Sequence, residues 1–228
     1  ESCVALTSTS GKMMASSGHR SQLDALLMYS AFPEPLLNGT ARFAKKWHAA
    51  YLDRLVNEDI RDISHIRSLE KISDLLVLLP ERVGSPLSIQ SLARDLELHF
   101  GTVKNCLRYL NLGYVLFELG PYVYKKGRFV KKEKKVYFYD WAPVLDSAKR
   151  FENFVAFELK ARIDLWNEIM PDTYGLCFVR TRDGKETDFL ITQNDAPYLL
   201  LEAKLSDTDI PTHHLHHARL LGGIPVVQ

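Results

Sequence analysis

Apolar residues recur at three- and four-residue spacing through "WHAAYLDRLVNEDIRDI" and "RSLEKISDLLVLLPER". That period predicts helices over most of Gln22–Leu79, with "AFPEPLLNG" as a loop marked by proline and glycine. Gly84 and Pro86 then break the pattern. Ser88 is placed to cap a short helix that ends at Asp95, "LELHF" predicts a turn, and Gly101–Leu110 predicts a second helix. "GYVLFEL" and "KKVYFYD" have strand character and flank a basic loop. From Trp141 the pattern changes again. "SAKRFENFVAFELKARIDLWNE" predicts an amphipathic helix, and "TYGLCFVRT", "ETDFLITQ" and "YLLLEAKLS" predict three successive strands. "PTHHLHHARLLGG" predicts a helix stopped by a glycine pair, and "IPVVQ" starts a further strand.

These elements predict a multidomain chain that combines α+β and α/β parts. A helical segment covers residues 1–82. Residues 83–140 hold two short helices, a tight turn and a β-ribbon, the layout of a winged helix-turn-helix. A helix pair used only for protein contacts has the same layout. Residues 141–228 predict an α/β domain with a central mixed sheet.

Charge sharpens two places. The loop "KKGRFVKKEKKV" carries Lys125, Lys126, Arg128, Lys131, Lys132, Lys134 and Lys135 against Glu133 alone, with Tyr122, Tyr124 and Phe129 nearby. Such a cluster neutralises phosphates and releases counterions without reading sequence. Lys104 and Arg108 lie four apart on the second predicted helix and so share a face. Together they make DNA the expected partner, although the net charge of +1 gives no general pull toward nucleic acid.

The second place is Tyr198–Leu205, an apolar strand interrupted by Glu202 and Lys204. Buried charges need partners. Alternation puts Glu202 and Lys204 on one face, and the hairpin turn "RDGKE" brings Asp188 onto the neighbouring strand. Two carboxylates and a lysine at one sheet end suit phosphodiester hydrolysis. Asp188 and Glu202 can hold Mg²⁺ or Mn²⁺, which acidifies an attacking water, while Lys204 stabilises developing charge. A buried salt-bridge network in an inactive fold is the competing explanation.

Other features set limits. Cys3, Cys106 and Cys177 are far apart, which argues against a zinc ribbon or disulfide scaffold and fits a cytoplasmic location. No apolar run approaches the roughly 18 residues that span a bilayer, so no membrane partner is expected. The hydrophobic content of 46% suffices for packed cores. The chain opens at Glu1 without a signal-peptide pattern and reads as the middle of something longer. His213, His214, His216 and His217 include an i, i+4 pair but no HExxH glutamate, so a polar helix face or phosphate contacts are expected there rather than zinc.

The set Glu152 in "FENFVAFEL", Asp188 in "ETDF", and Glu202 and Lys204 in "EAK" resembles the PD-(D/E)XK restriction-endonuclease-like family. "AFPEPLL", "YLDRLVNEDIRDI", "SIQSLARDLELHFGTVKNCLRYL", "VYFYDWAPV", "LLLEAK" and "GGIPVVQ" extend the likeness to prokaryotic AAA-type ATPases that carry such a domain at their C-terminus. The resemblance implies a Mg-dependent endodeoxyribonuclease, with Glu152, Asp188, Glu202 and Lys204 catalytic. An inactive DNA-binding or assembly module of an ATPase is the alternative. Self-association or a separate ATPase portion would supply further partners. Two departures stand out. "TSTSGKMM" lacks the Walker A spacing, so this chain alone is not expected to hydrolyse ATP, and Thr187 stands where the family has proline. Arg20 in "SGHR" is placed either to sense a neighbour's nucleotide or as a plain surface arginine.

Overall fold

A computed structural model describes residues 17–30, 32–60, 70–123, 133–181, 183–206 and 209–228. Four helices come first: α1 (Ser17–Tyr29), α2 (Pro33–Asn38), α3 (Ala41–Arg54) and α4 (Glu70–Leu78). A π-helical turn at Leu55–Ile60 extends α3, and a 3₁₀ turn at Leu79–Arg82 extends α4. The expected loop at "AFPEPLLNG" is instead α2. Proline's fixed φ suits the first helical turn, and Gly39 closes the helix at φ +64°, its N–H donating to Pro35 O.

Next come α5 (Ile89–Asp95), α6 (Phe100–Leu112), β1 (Leu116–Leu119) and β2 (Lys135–Phe138). Ser88 caps α5 as expected, its hydroxyl accepting from Ser91 N–H at 3.3 Å. α6 is one residue longer at its start and two at its end than the periodicity suggested. β1 and β2 pair antiparallel, and an isolated bridge from Pro86 to Lys135 adds a third edge.

The rest is α7 (Ser147–Ile169), β3 (Tyr174–Arg180), β4 (Glu186–Gln193), β5 (Ala196–Leu201), α8 (Thr212–Leu220) and β6 (Val226–Val227). The sheet order is β3-β4-β5-β6, antiparallel except for the parallel β5–β6 pair. Among the described residues the chain is therefore a mixed α/β protein with a two-stranded and a four-stranded sheet. No helix among them is long and apolar enough to cross a membrane.

One buried cluster runs through all three expected segments. Leu55, Ile72 and Leu79 pack with Leu92, Val103, Leu110 and Leu116, and onward to Tyr137, Ala156, Phe178 and Phe189. A smaller cluster of Val179, Leu190, Leu200, Ala218 and Leu221 holds α8 on the four-stranded sheet. α1 is tied to the segment ahead of α7 by Trp141 Nε1–H donating to Leu26 O at 2.9 Å, and to α7 itself by Arg150, which reaches Leu27 O.

β2 and α7 are joined by a buried side chain. Asn153 Oδ1 accepts from Phe138 N–H at 2.8 Å, and its Nδ2 donates to Phe138 O at 2.7 Å. The amide replaces a missing strand neighbour. Asn153→Ala orphans both backbone groups, and each orphan costs about 1–3 kcal/mol. Urea denaturation should show a loss on the order of 3 kcal/mol with the slope unchanged.

Candidate functional site

The first three residues of β4 point alternately to two sides. Glu186 and Asp188 face β2, and Thr187 faces α8. Phe189 pairs with Leu201 across the ladder, so the chain leaving β5 brings Glu202 level with Asp188. The two residues lock reciprocally. Asp188 N–H donates to Glu202 Oε2 at 3.3 Å, and Ala203 N–H donates to Asp188 Oδ2 at 3.1 Å. Lys204 Nζ lies 2.9 Å from Glu202 Oε1 and remains 43% exposed. The face shared by Glu202 and Lys204 is the one alternation gave, although β5 itself ends at Leu201.

The centre of the cluster is Lys135, which sequence placed on the basic loop with the phosphate-binding lysines. That expectation is overturned. Its side chain has no exposed surface, and Nζ lies 2.7 Å from Glu186 Oε1, 3.2 Å from Glu152 Oε1 and 3.3 Å from Asp188 Oδ1. Tyr137, two residues on, donates its hydroxyl to Glu152 Oε1 at 2.7 Å. Arg180 closes the outer side at 3.1 Å from Glu186 Oε2. Burial alone would lower the Lys135 pKa, but Glu152, Asp188 and Glu186 overrule it and hold the ammonium charged well above its ordinary range.

The carboxylates respond in the other direction. Burial raises Glu152 to about 7, with Lys135 pulling against it and Asp188 adding to it. Burial, then Asp188, also raises Glu202. Gly84 leaves room for this arrangement. It adopts φ +76°, and a Cβ there would stand 2.5 Å from Glu152 Oε2.

Behind β4, Thr187 makes a second buried centre. Its Oγ1 lies 2.7 Å from His214 Nδ1 and 2.8 Å from His217 Nδ1. A hydroxyl has one proton to give, so the two imidazoles hold opposite tautomers. The expected polar helix face is thus corrected for these two, which are both buried, while His213 Nε2 contacts Glu186 O at 3.1 Å. Thr187, in the position that departs from the resemblance, is what accommodates them. His214 Nε2 has no hydrogen-bond partner and points to Glu202 Oε2 at 3.6 Å. Burial first, then the neighbouring histidines, lowers both His214 and His217 to about 4.

The structure therefore brings Glu152, Asp188, Glu202 and Lys204 into one cluster and adds Lys135, Glu186, Tyr137 and His214. The i, i+2 pairs "ETD" and "KVY" carry a signal for the first three of these. Glu158 is exposed on another side of α7. Lys104 and Arg108 are exposed on α6 and line a groove of about 880 Å³ with Phe100, Lys134 and Val136. Lys134 pairs with Glu118 at 2.6 Å. Lys125, Lys126, Arg128, Lys131 and Lys132 lie outside the described residues, as do Gly11 and Lys12 of "TSTSGKMM". Arg20 is exposed on α1.

The donor chemistry here suits a hard divalent cation, which the nuclease resemblance implies. As placed, the residues do not fit one. The oxygens of Glu152 and Asp188 that face inward are held by Lys135, both Glu202 oxygens are engaged, and no three His, Cys, Asp or Glu side chains among the described residues are grouped for a metal ion.

The ionisations set a pH dependence. The unfolded chain binds protons on His214 and His217 between about pH 4 and the ordinary histidine value, while the folded chain does not, so stability rises with pH over that window. Glu152 acts oppositely. Its folded form binds a proton up to about 7, so it lowers stability as pH climbs from the ordinary carboxylate range. Thermal melts from pH 4 to 7 should rise, and Glu152→Gln should steepen that rise.

No solved structure matches the chain. MJ1637, an uncharacterized protein of Methanocaldococcus jannaschii, is 33% identical over 89 residues, which is 38% of this chain. The match covers only 19% of that protein's length. A family model matches residues 20–150, from α1 to the first turn of α7, and so takes in the hairpin that delivers Lys135. That span is more than half of the chain, which therefore belongs to the family described as Domain of unknown function (DUF8612).

Proposed function

We propose that this chain is a DNA-binding module, built on a winged helix-turn-helix, whose nuclease-like α/β domain serves chiefly as scaffold. The observation that carries it is the groove between α6 and β2, where Lys104 and Arg108 stand exposed on one helical face. Helix, bridge, helix, turn, helix and antiparallel hairpin follow in the order a winged helix uses. The sequence from 125 to 132 adds five cations just ahead of β2. Lys104 and Arg108 contribute charge for phosphates, and Asn105 and Asn111, also in the groove, contribute amides that can reach base edges. The resemblance to AAA-type ATPases supports a separate ATP-binding portion as partner.

The scaffold role follows from the ammonium of Lys135 in the carboxylate cluster, which satisfies those charges without a metal. A second reading, phosphodiester hydrolysis, is favoured by Lys204. It is the one cation of the cluster that remains substantially open to solvent, held beside Glu202 where a phosphate could approach. That reading would need Asp188 and Glu202 to release their present partners before they could hold a divalent ion, with Glu152 completing the acidic wall and Lys204 beside an approaching phosphate.

Two measurements separate these readings. Fluorescence anisotropy with a duplex should give salt-dependent binding. In Lys104→Ala and Arg108→Ala the slope of log affinity against log salt should fall by about 0.9 for each phosphate that is no longer neutralised. An unchanged slope in both variants removes the groove from the interface. For hydrolysis, plasmid incubated with Mg²⁺ or Mn²⁺ should remain intact with the wild type if the domain is scaffold. Cleavage that drops about 10²–10³-fold in Lys204→Ala and Asp188→Ala would establish the second reading instead.

A further inference from the structure

We propose that Lys135 is an internal cation that keeps divalent metal out of the cluster formed by Glu152, Asp188 and Glu202. Its ammonium stands between the carboxylates where a metal would sit, and a chain without that ammonium binds Mn²⁺ there.

A lysine is almost never fully buried unless paired, and Lys135 is paired three times over, within 3.3 Å of Glu152, Glu186 and Asp188. Charge gives the second argument. Four carboxylates, Glu152, Glu186, Asp188 and Glu202, face Lys135, Lys204 and Arg180. With all four ionised, one negative charge remains uncompensated. Without Lys135 the remainder is two, the charge a divalent ion carries. An ammonium and a metal ion cannot share the space, because like charges a few ångströms apart in a partly desolvated site repel strongly.

The third argument is independent of the acidic residues. His214 is 1% exposed, and its Nε2 has no hydrogen-bond partner while lying 3.6 Å from Glu202 Oε2. Thr187 holds the ring by its other nitrogen, the way ligating histidines are oriented from behind. The orphan imidazole nitrogen thus stands at the Glu202 side of the carboxylate cluster as a further donor that nothing among the described residues uses. A mixed carboxylate and imidazole set takes Mn²⁺ more readily than Mg²⁺, which demands oxygen ligands.

Position in the chain completes the case. Lys135 arrives on β2, from a different segment than any of the carboxylates. Alternation places its neighbours Lys134 and Val136 in the groove with Lys104 and Arg108, and Lys135 on the opposite side. The plug can therefore be removed without touching a donor. The inference does not rest on DNA binding, whose residues line the other face of β2.

The test is Mn²⁺ binding followed by electron paramagnetic resonance of the free ion. Wild type should leave Mn²⁺ free, and Lys135→Met should bind one ion about tenfold or more tightly than wild type, with the gain lost in Lys135→Met/Asp188→Asn. A folded Lys135→Met that binds no better than wild type overturns the proposal, as does wild-type binding that depends on Asp188. If Lys135→Met is unfolded without metal, Mn²⁺ should restore its near-ultraviolet circular dichroism in an Asp188-dependent way, since an ion that binds only the folded state stabilises it. Failure to restore it makes Lys135 a purely structural ion-pair partner and ends the proposal.

Discussion

The contact of one ammonium with three carboxylates, Lys135 with Glu152, Glu186 and Asp188, ties the hairpin to α7 and to β4 in the four-stranded sheet. Each of the four groups is costly to bury alone, and none is easily removed. Taking one partner from a buried ion pair typically costs about 3–5 kcal/mol because the survivor is left uncompensated. Tyr137 supports the arrangement from β2, and Gly84 from the turn ahead of α5. Asn153 fastens the same hairpin to the same helix, next to Glu152 in the chain, with two buried hydrogen bonds. The hairpin is therefore an integral wall of the α/β part.

That wall has two faces with different chemistry. Toward α6 it presents Lys134 and Val136 to an open groove. Toward β4 it presents Lys135 and Tyr137 to a closed polar cluster. A strand of four residues, all buried, links them. The family segment, residues 20–150, carries this wall and its groove but stops two residues before Glu152. Lys135 thus lies inside the matched segment, and the carboxylates of the cluster lie beyond it.

Much of the local structure is legible in the chain. Ser88 announces the start of α5, the glycine pair announces the end of α8, and Asp183-Gly184 announces the β3–β4 hairpin. Each rests on a preference that acts over three or four residues. The loop expected at "AFPEPLLNG" is a helix because proline breaks helices in their interior yet suits their first turn. Asp188, Glu202 and Lys204 are legible because strand alternation is also local. Lys135 reads as one of its basic neighbours because seven cations so close together in the chain have the pattern of a solvated surface.

The sequence by itself determined most of the elements, though not α2, together with the facing of Glu202 with Lys204 and the meeting of their segment with Asp188, since these follow from backbone period and a short turn. Only the tertiary structure decided which cation occupies the cluster. Lys135 and Asp188 are 53 residues apart, and nothing local ties them. Their contact comes from the hydrophobic core that presses the hairpin against α7 and β4, which leaves an inward-facing lysine no solvent and only the carboxylates and the face of Phe178 as partners. The same holds for His214 and His217. Their i, i+3 spacing puts them on one face of α8, but packing on the sheet buries that face over Thr187 and turns an apparent polar stripe into a desolvated pair.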